Sequence, residues 1–121
     1  MARKTVLLVE DEDAIRLTLR DFLKRQGFTV HVASDGIGAI KQLLDHTVDS
    51  IVTDYRMDGF GGDYWLRFLR FFFPDKKVIV TSGYIGPEAA QSFPLVPKPF
   101  DYGVLERYLD EDVEIASQSL N

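Results

Sequence analysis

Glu10, Asp11, Asp54, Ser82 and Lys98 stand out because each comes directly after a short apolar run. Glu10 and Asp11 close Val6-Leu7-Leu8-Val9, and Asp54 closes the run from Asp49 to Thr53. Ser82 follows Lys77 to Thr81, and Lys98 follows Leu95-Val96-Pro97. Three carboxylates gathered in one cleft repel each other unless a cation joins them or their pKa values rise. With no cysteine in the chain, oxygen ligands favour a hard divalent ion, Mg²⁺ first. A carboxylate beside such an ion, with an ammonium and a hydroxyl nearby, suits acceptance of a phosphoryl group. The ion and Lys98 would neutralise the equatorial oxygens while an Asp oxygen attacks in line. A plainer explanation is that acids after strands are helix caps. It serves for Asp13, Asp35 and Asp63, but capping needs no partner lysine on another strand. It therefore does not serve for Glu10, Asp11 and Asp54 taken together with Lys98-Pro99.

Bringing these residues together requires a particular set of elements. Val6 to Val9 reads as a buried strand. A helix follows, capped by Asp13, with Ile15, Leu19, Phe22 and Leu23 inward, Arg16, Arg20 and Lys24 in water, and Gly27 ending it. Phe28 to Ala33 is a second strand, whose end at Ser34-Asp35-Gly36 offers only turn chemistry. A second helix carries Ile37, Ile40, Leu43 and Leu44 on one side. The strand from Asp49 to Thr53 leads to a loop with Gly59, Gly61 and Gly62, and then to a helix from about Asp63 to Phe73 that Pro74 stops. After the strands at Lys77 to Thr81 and Leu95 to Pro97 comes a last helix with Val104, Leu105, Tyr108 and Leu109. Short strands alternating with amphipathic helices predict a parallel sheet with helices on both faces, and function at the carboxyl ends of its strands. Only fifteen residues separate Ser82 from Lys98, with Pro87, Pro94 and Pro97 among them, so a fourth helix there is expected to be short or absent. Residues 1–110 read as one domain, and 111–121 as an acidic tail or the end of the last helix.

Composition narrows the function classes. The chain has 121 residues and a net charge of −5, which argues against direct nucleic-acid binding or an anionic membrane partner. His31 and His46 are the only imidazoles, too few for a histidine-rich zinc site. No run approaches a membrane span, and the first apolar run is too short for a secretion signal. A cytoplasmic location is expected.

The four motifs in order resemble the receiver domain of two-component response regulators, over about residues 4 to 110. Val6-Leu7-Leu8-Val9-Glu10-Asp11 resembles that family's first strand and acidic pair. Asp54-Tyr55-Arg56-Met57 with Gly62 resembles its phosphoacceptor loop, Thr81-Ser82-Gly83 its switch hydroxyl segment, and Lys98-Pro99-Phe100 its Lys-Pro motif. The resemblance implies an α/β, flavodoxin-like, doubly wound five-stranded parallel sheet in the order 2-1-3-4-5. It implies Asp54 as phosphoacceptor, and Mg²⁺ held by Asp11, Asp54 and the backbone carbonyl of Arg56, with Glu10 binding it directly or through water. Ser82 would hydrogen-bond the phosphoryl oxygen, and Lys98 would pair with the phosphoryl group or Asp54. The implied donor is a sensor histidine kinase or a phosphotransfer protein. The implied output is contact with a downstream protein or effector domain, with a homodimer as another assembly. Such a domain is a phosphoacceptor rather than an enzyme, and either a stand-alone regulator or a fragment of a larger protein.

Three departures bear on these expectations. Asp58 stands where the family usually has Pro, Leu95 where it has an aromatic switch residue, and the fourth-helix region is short. Asp58 alters loop rigidity, whereas the other two keep a second reading open, a pseudo-receiver that acts as an interaction module without phosphorylation. Arg56 and Tyr84, both large, flank the expected path of water and imply slow self-dephosphorylation. The third helix is also unusual. Tyr64, Trp65, Leu66, Phe68, Leu69, Phe71, Phe72 and Phe73 cover an arc of roughly 200°, leaving mainly Asp63, Arg67 and Arg70 wet. Its extra aromatics either pack under neighbouring loops or form a partner surface.

Overall fold

The computed structural model describes residues 3–57, 59–82, 93–99 and 101–111. In chain order they form β1 (Thr5–Val9), α1 (Asp13–Arg25), β2 (Thr29–Ala33), α2 (Gly36–Asp45) and β3 (Ser50–Asp54). Then come α3 (Gly62–Phe72), β4 (Lys77–Ser82), β5 (Leu95–Pro97) and α4 (Tyr102–Asp110). The strands make one parallel sheet ordered β2-β1-β3-β4-β5, which is the doubly wound topology. The region between Ser82 and Lys98, where a fourth helix is expected to be short or absent, falls largely on residues 83–92, outside the described residues, as do 112–121 of the tail. Four helices are present among the described residues.

The sheet is buried on both faces, which is why its strands read as unbroken apolar runs rather than alternating ones. Leu7, Val9 and Ile51 point to one face, where they pack with Ala39 and Leu43 of α2 and Trp65, Leu66 and Leu69 of α3. Val6, Leu8 and Val52 point to the other, against Leu19 and Leu23 of α1 and Leu105 and Leu109 of α4. The register pairs Val9 with Thr53, Asp54 with Thr81, and Ser82 with Pro97. Glu10, Asp54, Ser82 and Lys98 therefore emerge side by side at the carboxyl edge. The strand order reverses between β1 and β3, the crevice where open α/β sheets carry their sites.

Several helix details differ from the sequence reading. Glu12, not Asp13, is the N-cap of α1; Asp13 is its first helical residue and pairs with Arg16. Asp35 caps α2 as expected, accepting from the Gly38 N–H at 2.8 Å. The buried stripe of α2 is Gly36, Ala39 and Leu43, while Ile37 and Leu44 are exposed. The displacement has a steric cause. A Cβ on Gly36 would stand 2.2 Å from the Phe60 carbonyl oxygen, so the helix packs against the loop after β3 on its small residues. Gly61 is the N-cap of α3, leaving Asp63 free of capping. The α3 aromatics divide: Trp65 is fully buried and Phe68 and Phe73 are half-buried, but Tyr64, Phe71 and Phe72 are 73%, 78% and 61% exposed.

Candidate functional site

Strand ends, rather than loops, deliver the acids. Glu10 leaves β1 with its side chain folded back, its Oε2 accepting the Glu12 N–H at 3.0 Å. Its backbone carbonyl accepts from the Arg16 guanidinium at 2.8 Å. Asp54 is the last residue of β3, and both carboxylates are buried. Asp11 is exposed at the rim. Carboxylate oxygens of Glu10, Asp11 and Asp54 lie within 4.8 Å of one another. The Lys98 ammonium reaches in from the end of β5, 2.8 Å from Glu10 Oε1 and 3.1 Å from Asp54 Oδ2. With Glu10 Oε1 it meets as a charge pair without hydrogen-bond geometry, while it donates a hydrogen bond to Asp54. The Lys98 N–H donates to the Ser82 carbonyl at 2.9 Å, which fixes the lysine beside buried Ser82. The Lys98–Pro99 peptide bond is cis.

The electrostatics follow from burial. Desolvation raises the Glu10 carboxyl above its ordinary value, and Asp54 adds to the rise, outweighing the Lys98 and Glu12 contacts that favour its charged form. Asp54 is raised in the same way, first by burial and then by Asp11, against the pull of Lys98. Burial works against the charge on Lys98, yet Glu10 and Asp54 together raise its pKa. Three carboxylates meet one ammonium, and burial disfavours the charged form of two of them. A hard divalent cation with oxygen ligands fits that donor set.

Arg56 is exposed just beyond β3. With Asp11, Met57, Gly59, Gly61 and Gly62 it lines a cleft of about 410 Å³ beside the acids. Positive φ at Gly59 and Gly62, +76° and +60°, shapes that wall. A smaller cavity of about 340 Å³ lies between Ile15, Lys98, Pro99 and Tyr102. Asp58, Tyr84 and Phe100 lie outside the described residues. His31 and His46 stack on each other at 3.8 Å, on edge strand β2 and at the end of α2. Burial, then His46 and Lys24, lower the His31 pKa.

Several participants escaped the sequence reading. The sequence places Arg16 on the wet face of its helix, yet only 14% of its side chain is exposed and it holds the Glu10 carbonyl. Its place six residues beyond Glu10, on the first turns of α1, was the available signal. Thr53 looked like an ordinary strand residue, but its hydroxyl accepts from Trp65 Nε1 at 2.8 Å, at the strand position before Asp54. Asp63, expected as a cap, instead accepts from the Tyr55 hydroxyl at 2.7 Å.

Comparison with known proteins agrees with this geometry. The model of the response regulator receiver domain family matches residues 6–108. The chain is 39% identical to the sensor kinase CckA of Brucella abortus over 91% of its own length and 12% of the relative's. It is 31% identical to the transcription factor SKN7 of Saccharomyces cerevisiae over 95% of its length and 20% of the relative's. The chain thus spans a minor part of these curated relatives. Among solved structures, a signal receiver domain of an HD domain-containing protein from Pseudomonas fluorescens superposes with a TM-score of 0.84 at 21% identity, covering 96% of this chain and 98% of that one. The response regulator TrrA from Thermotoga maritima, solved in complex with Mg²⁺ and BeF, gives a TM-score of 0.78 at 26% identity, covering 86% and 94%. By the family match over most of its length, and with the same fold as these receiver structures, the chain belongs to the response regulator receiver domain family.

Proposed function

We propose that residues 1–110 are a phosphoacceptor unit, with 111–121 an acidic tail or the end of its last helix, and that the unit takes a phosphoryl group onto Asp54. The supporting observation is the buried Glu10–Asp54 pair, with Asp11 at its rim and Lys98 between the two. An Asp54 carboxylate oxygen forms the O–P bond as the P–N bond of a donor phosphohistidine breaks, and the leaving imidazole takes up a proton from water. The donor is a sensor histidine kinase or a phosphotransfer protein. Glu10, Asp11, Asp54 and the Arg56 backbone carbonyl would hold Mg²⁺. When bound, the ion neutralises charge on the phosphoryl oxygens. Lys98 offsets the remaining negative charge, and the Ser82 hydroxyl donates to a phosphoryl oxygen. Large side chains at Arg56 and Tyr84 hinder water and make self-dephosphorylation slow.

The output is a protein contact, with a downstream protein or effector domain or with a second copy as a homodimer. The surroundings are cytoplasmic, and the domain itself does not bind nucleic acid. In support, no described helix is long and apolar enough to cross a membrane, and the net charge is −5.

The test is incubation with acetyl phosphate and Mg²⁺, followed by mass measurement before and after acid. One acid-labile phosphoryl group is expected on the wild-type chain and none on Asp54→Asn. A wild-type chain that takes no label, or a variant labelled in full elsewhere, overturns the proposal in favour of a pseudo-receiver or another acceptor.

A further inference from the structure

Three hydrogen bonds tie the residues flanking Asp54 to the first turn of α3. The Gly62 N–H donates to the Tyr55 carbonyl at 2.8 Å. The Tyr55 hydroxyl donates to Asp63 Oδ1 at 2.7 Å, and Trp65 Nε1 donates to Thr53 Oγ1 at 2.8 Å. The Thr53 hydroxyl itself donates to the Asp54 carbonyl at 3.0 Å. Thr53, Tyr55 and Trp65 are all buried, so these bonds act in a low dielectric and hold their partners firmly. Packing alone does not require them. A valine in place of Thr53 would fill the same space, but it would leave a buried indole N–H without its acceptor.

The Arg56 carbonyl follows the clasped strand end, and Phe60 and Gly61 lead into α3. The Phe60 carbonyl oxygen lies against the start of α2, where even a Cβ on Gly36 would stand 2.2 Å away. A Cβ on Gly61 would stand 2.8 Å from the Met57 carbonyl oxygen, so these two residues also approach closely. Phe60 is thus packed against α2, while Thr53 and Tyr55, on either side of Asp54, are bonded to α3.

We propose that Thr53, Tyr55 and Trp65 are positioning residues that transmit the state of Asp54 to α3. The inference rests on the phosphoacceptor reading of Asp54. Phosphorylation exchanges a carboxylate paired with Lys98 for a bulkier group bearing three further oxygens. As Asp54 gives up its pairing with Lys98 the strand end shifts, and the clasp passes that displacement to the indole of Trp65.

Trp65 is the single tryptophan of the chain, so its emission reports this clasp directly. The experiment records tryptophan emission of the whole chain before and after acetyl phosphate with Mg²⁺, alongside the extent of labelling by mass. Wild type is expected to shift on labelling. Thr53→Val is expected to label equally but to lose at least half of the shift. A merely structural Thr53 would alter the resting spectrum and leave the change on labelling intact. Should Thr53→Val fail to fold by circular dichroism, Tyr55→Phe decides on the same criterion. A labelled wild type whose emission does not move, or a labelled variant that shifts as wild type does, overturns the inference while sparing the phosphoacceptor role. A wild-type chain that takes no label overturns both.

Discussion

At the amino-terminal end of the sheet, the Arg3 guanidinium lies 2.6 Å from Glu106, also pairs with Asp110, and donates to the Gln26 carbonyl. At the carboxyl end, the Lys98 ammonium is shared between Glu10 and Asp54, both almost out of solvent. Arg3 contacts its acids where water still reaches them, so its raised pKa reflects favourable contacts in a screened setting. The acids at Lys98 are raised despite the lysine, because burial opposes their charge more than one ammonium supports it. The difference teaches where this fold keeps its chemistry. One end spends its charges on joining α4 to the sheet, and the other holds clustered carboxylates whose repulsion a cation relieves.

The comparison breaks most sharply if Asp54 and Asp110 prove interchangeable. Asp54→Asn is expected to abolish acid-labile labelling, whereas Asp110→Asn should label as wild type. Asp54→Asn should also unfold at a higher temperature than wild type at pH 7. The sign follows from linkage. A carboxyl whose folded pKa is raised destabilises the fold above that pKa, and the penalty disappears as pH falls through the unfolded value near 4. The advantage of the variant should therefore shrink on acidification, as thermal melts at pH 7 and in acid would show.

Next in size is Lys98→Met. Its stem remains but Glu10 and Asp54 lose their counter-charge, so a cost of about 3 kcal/mol at pH 7 is expected. Denaturant melts should recover most of that loss in acid, as the two carboxyls take up protons. A variant equally destabilised at every pH would mean that the stem, not the charge, matters.

How much of this was legible beforehand depended on what kind of pattern carried it. The strands showed as unbroken apolar runs because the sheet is covered on both faces, and the runs ended at the acids because the site sits where burial stops. From that, Glu10, Asp11, Asp54 and Lys98 could be placed together, and their oxygens and ammonium do meet. Side-chain direction was less readable. On α2 the apolar residues Ile37 and Leu44 drew the stripe one position too far, since a close approach of backbones at Gly36 leaves no apolar signal. Thr53 and Trp65 are twelve residues apart, and their bond exists only once β3 and α3 are packed. Pairing of that kind has no local period to betray it.

The comparison is sharpened by Mg²⁺. At ten times its dissociation constant the ion should stabilise the wild-type chain by about 1.4 kcal/mol at pH 7. The gain should fade in acid, where protons compete for Glu10 and Asp54, and should fall in Asp11→Ala. Thermal unfolding with Mg²⁺, set against Na⁺ at equal ionic strength, separates specific binding from screening. An equal rise with Na⁺ would remove the metal site from the carboxyl end.

The smallest effect is expected from Arg3→Ala. Its head group pairs with Glu106 and Asp110, and its guanidinium lies 4.5 Å from the centre of the Phe28 ring. Those contacts look more numerous than those of Lys98, but the Arg3 side chain is 30% exposed and Asp110 is 47% exposed. Water and salt already satisfy much of what the pairs would supply, and a long side chain loses conformational freedom to make them. A loss of under about 1 kcal/mol is therefore expected, most of it erased in 1 M salt, where the screening length falls to about 3 Å. What survives in salt would report the aliphatic stem, which lies 3.6 Å from the Cβ position of Gly27, and its packing near Phe28. Equilibrium unfolding of the variant at low and high salt measures both parts. A loss as large as that of Lys98→Met, or one that salt leaves untouched, would mean that exposure does not separate the two ends of the sheet.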